Sequence, residues 1–203
     1  MNRLSNKDCP PKGLLVVISG PSGVGKGTIC RELMRKYSDI SYSVSATTRK
    51  PRPNEIHGKD YFFYNTEGFL ELVANDALLE WAKVYDNYYG TPVSFVEELL
   101  CQGRDCILEI DIQGAMQVKG KKPEAVYIFI MPPSKEELIR RITLRGTENQ
   151  AEIAKRMEQV DHEMALSSSY DYVVVNDDVM SAVERIREII TAERCRSKNK
   201  FYI

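Results

Sequence analysis

The sequence has few of the features that mark membrane, secreted or nucleic-acid-binding proteins. Its 203 residues include one tryptophan and two histidines. No run approaches the roughly 20 apolar residues that span a bilayer. Lysine and arginine number 28 against 29 aspartate and glutamate, for a formal net charge of −1. Binding to duplex nucleic acid needs a broad basic surface. We therefore expect neither a nucleic-acid nor a membrane partner.

Cysteine is scarce, odd in number and unpaired in spacing. The five cysteines are Cys9, Cys30, Cys101, Cys106 and Cys195, and none has the CxxC spacing of a zinc site. Residues 1–13 are polar and contain prolines, so they lack the apolar centre of a signal peptide. Reduced thiols are typical of the cytoplasm, where we expect this protein to reside.

Four short apolar runs indicate the core. They cover residues 14–18, 106–108, 126–131 and 172–175, and none alternates between apolar and polar side chains. Such runs are typical of strands buried on both faces, and helical patterns separate them. With 43% hydrophobic residues, the chain is long enough for one well-buried core. We predict an α/β fold with a parallel core sheet, whose ligands lie at the carboxyl ends of the strands.

A glycine-rich segment follows the first apolar run and precedes a helical pattern. Glycines let the backbone turn tightly, so that successive N–H groups converge on phosphate oxygens at a helix N-terminus. An ordinary turn is the alternative, but four spaced glycines and a lysine in this context rarely arise for packing alone. The candidate ATP-binding residues of this loop are Gly20, Pro21, Ser22, Gly23, Val24, Gly25, Lys26, Gly27 and Thr28.

The segment departs from the usual phosphate-loop pattern at one position. The pattern GxxxxGK[ST] places a hydroxyl directly after the lysine, whereas Gly27 stands there and Thr28 follows. Both arrangements occur among nucleoside monophosphate kinases, so nucleotide binding is still expected. Thr28 is the candidate metal ligand, and the departure weakens that assignment.

The stretch 43–89 is polar, aromatic and rich in turns, and we interpret it as an inserted, mainly β subdomain. Within it we predict a short helix from Thr66 and a strand over residues 77–85. Asn-Tyr-Tyr-Gly at 87–90 is interpreted as a turn. Thr91 and Pro92 are then predicted to supply the N-cap and the first-turn proline of a helix that returns the chain to the core.

Residues 133–168 are predicted to form a helical lid. A capping box over residues 134–137 opens its first helix, which carries Arg141 and Arg145 on one face. A second helix from about residue 148 places Arg156 beside an apolar stripe. Solvated arginines on exposed helices are the alternative, and spacing alone favours that alternative for at least one of them. A last helix is predicted to start at Asn176.

The inserted subdomain offers groups for a second ligand. Arg49 and Arg52 are suited to fork onto phosphate oxygens, and Tyr61 and Tyr89 can donate further hydrogen bonds. Each tyrosine taken singly is as well explained by packing. Glu80 follows Leu79 in an apolar stretch, where a carboxylate needs a partner. Guanine supplies one through its N1–H and N2–H₂ donors, whereas adenine presents an unprotonated N1.

Taken together, these segments resemble the guanylate kinase family. The resemblance runs from about Leu14 to Ala192 and implies a single domain over 1–203. Its core covers about 13–42, 92–132 and 169–203, its GMP-binding subdomain about 43–91 and its lid about 133–168. The segments that carry the resemblance are residues 20–28, 43–52, 58–61, 80–82, 87–91, 109–114 and 145–148.

The resemblance implies a role for each matching residue. Around guanine and the GMP phosphate it places Ser45, Arg49, Arg52, Glu55, Tyr61, Glu80, Tyr89, Thr91, Glu109 and Asp111, with Glu55 orienting the arginines. Arg145 and Arg156 close over the transferring phosphoryl, joined by Arg141, and Asn176 contacts adenine. Lys26, Arg49, Arg145 and Arg156 are the implied catalytic residues. Glu109 is either part of the GMP site or a group that orients magnesium-bound waters.

The implied reaction is in-line transfer of the ATP γ-phosphoryl to GMP, and dGMP is expected as a further acceptor. Mg²⁺ enters with ATP, and the small-molecule partners are ATP and GMP. Self-association is left open. Catalysis would rest on positioning and on charge stabilisation by Mg²⁺, Lys26 and the arginines.

The sequence disfavours three other functions. A non-catalytic module of related fold would bind a phosphorylated protein segment, but such modules have degraded phosphate loops, and Gly25, Lys26 and Arg145 are present here. Another nucleoside monophosphate kinase is disfavoured by Glu80 and by the hydroxyls of Ser45 and Thr91. A GTPase is disfavoured because the sequence has no Asn-Lys-x-Asp motif.

Overall fold

The computed structural model describes residues 13–143 and 160–196. In chain order the strands and helices are β1 (Leu15–Ser19), α1 (Lys26–Lys36), β2 (Ile40–Tyr42), β3 (Ala46–Thr47), β4 (Phe62–Phe63), α2 (Thr66–Ala74), β5 (Leu78–Val84), β6 (Asn87–Pro92), α3 (Val93–Cys101), β7 (Asp105–Glu109), α4 (Ile112–Lys121), β8 (Val126–Met131), α5 (Lys135–Thr143), α6 (residues 160–165), a 3₁₀ turn (Leu166–Ser169), β9 (Tyr172–Val175) and α7 (Val179–Arg194). The strands form two β-sheets, and those of the second sheet, β3 to β6, lie in sequence between β2 and β7 of the first.

The predicted parallel core sheet is confirmed. Its strand order is β2-β7-β1-β8-β9, and every neighbouring pair is parallel. The central strand β1 pairs Val16 with Ile107 on one side and with Val126 on the other. All four apolar runs of the sequence are strands of this sheet. The short edge strand β2 is an addition, because three residues carry too little pattern to be predicted.

Both faces of the core sheet are covered, which explains why its strands do not alternate in polarity. Val16 and Ile18 face a cluster that α1 and α7 complete with residues such as Leu33 and Ile186. The intervening residues Leu15 and Val17 face a second cluster, which α3 and α4 complete. This packing fixes the carboxyl edge of the sheet, where the phosphate loop begins.

Residues 46–92 contribute a second sheet, of order β4-β3-β6-β5. A small cluster of Ala46, Phe69 and Leu78 packs this sheet against α2. Helix α2 begins at Thr66 as predicted, and the side chain of Asn65 caps it by accepting the N–H of Gly68 at 2.8 Å. The predicted strand over 77–85 corresponds to β5.

Two predictions around β6 were wrong. Residues 87–90 are strand rather than turn, and the chain reverses at Tyr85 and Asp86, with Tyr85 at φ 53°. Ring stacking of Tyr88 on Phe69, with centroids 5.5 Å apart, favours the extended form. Thr91 does not cap α3 and instead ends β6 with Pro92, which precedes the helix without a side-chain cap.

The predicted capping box of α5 is half formed. Ser134 Oγ accepts the N–H of Glu137 at 3.2 Å, but the Glu137 carboxylate accepts hydrogen bonds from Arg140 and Arg141. None of the helices in the described part of the chain is long and apolar enough to cross a membrane.

Candidate functional site

Three glycines of the loop between β1 and α1 have positive φ angles, and two of them lie against the ends of neighbouring strands. Gly20 has φ 146°, and a Cβ there would lie 2.4 Å from the carbonyl oxygen of Ile130. Gly25 caps α1 at φ 99°, and its Cβ would lie 2.6 Å from Asn176 Nδ2. The loop therefore passes close to the ends of β8 and β9 and turns its N–H groups toward the N-terminus of α1.

Lys26 is the first residue of α1 and folds back over the loop. Its Nζ donates to the carbonyl oxygens of Gly20 at 2.6 Å and Pro21 at 3.1 Å. Burial lowers the pKa of Lys26, although the nearby Glu109 carboxylate opposes that shift. The ammonium is thus held in place before any phosphate arrives.

A cavity of about 280 Å³ lies in front of this loop. Its polar wall includes the Thr28 hydroxyl, which accepts a hydrogen bond from Arg31 Nη2 at 3.3 Å, and the carboxylate of Glu109. A Cβ on Gly27 would lie 3.2 Å from Glu109 Oε1. The structure thus places Glu109, predicted in the GMP group, beside the phosphate loop. The lining residues are Ser22, Gly23, Gly25, Lys26, Gly27, Thr28, Arg31 and Glu109.

A second cleft of about 390 Å³ adjoins the loop on the side of α5 and α7. Arg141 lines it and donates to the carbonyl oxygens of Val24 at 3.3 Å and Asn176 at 3.2 Å. Asn176 Nδ2 donates to Val24 at 2.7 Å, while its Oδ1 is buried and accepts no hydrogen bond from the described residues. That oxygen keeps an unused hydrogen-bonding capacity next to the cleft that Asn176 lines.

Arg49, Tyr61 and Tyr89 of the predicted anion-binding cluster lie together, and Arg52 joins them through its backbone N–H. Both terminal nitrogens of Arg49 donate to the Glu55 carboxylate, at 2.9 and 3.0 Å, and that carboxylate also accepts the backbone N–H of Arg52 at 2.7 Å. The Arg49 guanidinium lies 5.3 Å from the centre of the Tyr61 ring, and the Tyr61 and Tyr89 rings meet edge to face at 6.3 Å. Arg49 is therefore held in a fixed orientation.

Glu80 is 8% exposed, and the Thr91 hydroxyl donates to its Oε1 at 2.6 Å. The two residues are on the paired strands β5 and β6, which is why Thr91 cannot cap α3. Burial raises the pKa of Glu80, the Thr91 hydrogen bond opposes the shift, and the nearby Asp111 adds to it. A buried carboxylate held in this way is suited to accept hydrogen bonds from a ligand.

Asp111 lies beside Glu80 at the start of α4. Its side chain caps the helix by accepting the N–H of Gly114 at 2.7 Å. A Cβ on Gly114 would lie 3.1 Å from Glu80 Oε2 and 3.3 Å from Asp111 Oδ1. The two carboxylates thus lie close together beside Gly114.

The other predicted site residues are Ser45, Arg145 and Arg156. Ser45 is half-buried just before β3, and its backbone carbonyl accepts the N–H of Phe62 at 2.8 Å. Arg145 and Arg156 lie outside the described residues.

Sequence reasoning missed three contributors. Arg31 lines the phosphate cavity, and its place one turn after Thr28 on an exposed helix face was the available signal. Glu137 accepts hydrogen bonds from Arg141 Nε at 2.8 Å and from Arg140. Tyr42 Oη donates to Glu109 Oε2 at 3.1 Å across the paired strands β2 and β7, a contact that no local pattern reveals.

Known proteins resemble this chain over nearly its whole length. Residues 12–193 match the family model described as guanylate kinase. The guanylate kinase of Caldanaerobacter subterraneus subsp. tengcongensis is 58% identical over 190 residues, which are 93% of this chain and 92% of the relative. That of Desulfitobacterium hafniense is 52% identical over 94% of this chain and 96% of the relative.

Solved structures agree with these sequence matches. The crystal structure of guanylate kinase from Anaplasma phagocytophilum matches with a TM-score of 0.70 at 34% identity, over 93% of this chain and 90% of the other. Shikimate kinase from Bacteroides thetaiotaomicron shares only the fold, with a TM-score of 0.51 at 15% identity. Because the family model matches nearly the whole chain and these relatives are identical to it at more than half of the aligned positions, the chain belongs to the guanylate kinase family.

Proposed function

We propose that this protein catalyses the ATP-dependent phosphorylation of GMP to GDP. The observation that carries the proposal is the Glu80 carboxylate, which is buried, held by Thr91 and adjacent to Asp111, in a chain that also has a phosphate loop. Guanine presents N1–H and N2–H₂ on one edge, so two neighbouring carboxylates match its donors. Adenine lacks that pair of donors and is rejected.

The GMP phosphate binds at the cluster of Arg49, Arg52, Tyr61 and Tyr89. Because Glu55 already holds Arg49 and the Arg52 backbone, the arginine fork is oriented before the substrate arrives. The cluster and Glu80 are both supported by the sheet of β3 to β6, and Asp111 approaches Glu80 from the start of α4. Ser45, immediately before β3, adds a hydroxyl near guanine.

ATP binds with its phosphates on the loop and its base in the cleft next to Asn176. The free Oδ1 of Asn176 accepts from the adenine amino group, and Arg141 reaches the phosphates once it leaves the Val24 carbonyl. Lys26 exchanges its two carbonyl partners for phosphate oxygens. Arg145 and Arg156 are proposed to approach the transferring group from the lid, residues 133–168.

The wall of the phosphate cavity suits Mg²⁺. Thr28 contributes a hydroxyl and Glu109 a carboxylate, which are oxygen ligands, and Mg²⁺ commonly takes only one or two protein ligands beside phosphate and water. Within the described residues no group of three or more histidine, cysteine, aspartate or glutamate side chains is placed to hold a metal ion. A bound Mg²⁺ would neutralise phosphate charge, while Lys26 and the arginines hold the reacting groups in line.

GMP is proposed to close the subdomain of residues 43–91, and ATP is proposed to order the lid. Closure excludes water, which would otherwise accept the phosphoryl group. Hydrogen exchange with each nucleotide alone should protect different segments, and uniform protection would reject two independent closures. A cytoplasmic location is supported by the four cysteines of the described part, all free thiols.

A coupled assay of ATP consumption tests the function directly. GMP, dGMP, AMP, CMP and UMP are supplied in turn as acceptors at equal concentration. We expect turnover with GMP and dGMP and little with the others. Equal rates with AMP would reject the role of Glu80 in base choice. Binding of GMP without any ATP consumption would instead favour the non-catalytic module of related fold.

A further inference from the structure

Strand β5 carries Glu80 at a point where its pairing with β6 is irregular. Leu78 pairs with Pro92 and Trp81 with Gly90, so the register shifts between these two positions. β5 is also the edge strand of its sheet, which leaves one side of its backbone without a neighbouring strand. The segment that positions the base-reading carboxylate therefore needs support from elsewhere.

Gln117 of α4 supplies that support. Its Oε1 accepts the N–H of Trp81 at 3.1 Å, and its Nε2 donates to the Trp81 carbonyl oxygen at 3.1 Å. The side-chain amide thus makes the two hydrogen bonds that a neighbouring strand would make. One turn further along α4, Lys121 Nζ donates to the carbonyl oxygen of Leu78 at 2.7 Å. Glu80 lies between the two anchored positions.

The same face of α4 carries the other groups of the base site. Asp111 caps the helix, and Gly114 lies against the Glu80 carboxylate. Residues 111, 114, 117 and 121 recur at three- and four-residue spacing, so they share one face. The helix that presents Asp111 is therefore also the helix to which the backbone next to Glu80 is bound.

We propose that Gln117 is a positioning residue for base selection, which sets the distance between the Glu80 and Asp111 carboxylates through its two hydrogen bonds to Trp81. The proposal rests on the proposed function, in which these carboxylates receive the guanine donors. Gln117 itself does not touch the substrate. Loss of the Gln117 amide would leave the phosphate sites intact and weaken only the recognition of guanine.

Gln117→Leu tests this proposal because it removes both hydrogen bonds and leaves an apolar side chain that is one bond shorter. Dissociation constants for GMP, IMP and ADP are measured by calorimetry, since IMP lacks the N2 amino group. We expect the constant for GMP to rise about 3- to 10-fold, that for IMP to rise less than about 2-fold and that for ADP to stay unchanged. KM for GMP should rise with little change in kcat or in KM for ATP.

Two further variants complete the design. Gln117→Glu keeps the acceptor for the Trp81 N–H but places a carboxylate oxygen against the Trp81 carbonyl oxygen. We expect it to raise the dissociation constant for GMP at least as much as Gln117→Leu does. Gln102→Leu is the matched control, because Gln102 is an exposed glutamine that directly follows α3 and makes one side-chain hydrogen bond, to Glu98. It should leave all three constants unchanged.

The outcomes separate the two proposals. A wild-type protein that does not prefer GMP over IMP would overturn the proposed function and this inference with it. A wild-type preference that Gln117→Leu retains would overturn the inference alone. Equal weakening of GMP, IMP and ADP in Gln117→Leu would also overturn it, because that result describes a general structural defect.

Discussion

The phosphate loop and the proposed acceptor site are built in different ways. The loop is a single stretch, and its geometry depends on backbone conformation, as at Gly20 and Gly25. The acceptor site takes side chains from β5, β6, α4 and the segment around Arg49, and holds each through another residue. A continuous backbone site tolerates few substitutions, whereas an assembled side-chain site can be adjusted one contact at a time.

The largest effect on the rate is expected for Lys26, whose charged side chain lies over the phosphate loop. Lys26→Ala should lower kcat by about 10²- to 10³-fold, because it removes a positioned charge from the transferring phosphoryl. Steady-state rates and circular dichroism are measured together. Lys36→Ala is the control on the same helix, since Lys36 pairs with Glu184 away from the site. A folded Lys26→Ala protein with near-native kcat would remove the loop from the reaction.

The second-largest effect is expected for Arg49, where a substitution can distinguish the shape of the guanidinium from its charge. Arg49→Lys keeps the charge but loses the two parallel hydrogen bonds to Glu55 and the matching fork for phosphate. We expect kcat/KM for GMP to fall by about 100-fold while KM for ATP is unchanged. Arg35→Lys, at an exposed arginine that also pairs with a glutamate, is the control. Native kinetics in Arg49→Lys would mean that charge alone suffices.

Glu80→Gln tests whether the acceptor site chooses the base. The amide keeps the size of the side chain but turns a donor toward a guanine donor. Loss of a charge-assisted hydrogen bond costs about 1.5–3 kcal/mol, so kcat/KM for GMP should fall roughly 10- to 100-fold. The rate with AMP should fall less or rise slightly. An unchanged ratio of GMP to AMP would make Glu80 a structural carboxylate.

The smallest effect concerns the contribution of the Glu80 carboxylate to the stability of the folded protein. Burial raises the pKa of Glu80, so the folded state binds its proton more tightly than the unfolded state does, and stability falls as pH rises from the unfolded pKa through the folded one. Glu80→Gln removes this cost and should raise Tm at pH 8 by about 2–4 °C, for a gain on the order of 1 kcal/mol.

Thermal unfolding of both proteins at pH 8 and pH 4 provides the measurement. The advantage of the variant should be present above the folded pKa and should shrink as pH falls below the unfolded pKa, where both forms are neutral. A lower Tm for Glu80→Gln at pH 8 would contradict this expectation, because it would show that the ionised carboxylate stabilises the fold.

Much of the core and all of the phosphate loop could be predicted from the sequence, because their signals are local. Buried strands such as 126–131 are continuously apolar, and the loop is marked by four spaced glycines around Lys26. The cluster of Arg49 and Glu55 also spans only a few residues. In each case the residues that act together are close in the chain.

The tertiary structure decided what depends on partners distant in sequence. Residues 87–90 read as a turn until β6 pairs with β3 and β5, and Thr91 reads as a helix cap until Glu80 takes its hydroxyl. Gln117 gives no local sign that it pairs with Trp81. Hydrogen bonds between segments that meet only on folding leave no periodic pattern in the sequence, so they cannot be predicted from it. The sequence by itself determined the phosphate loop, and only the folded chain placed Glu80, Thr91 and Asp111 around one point.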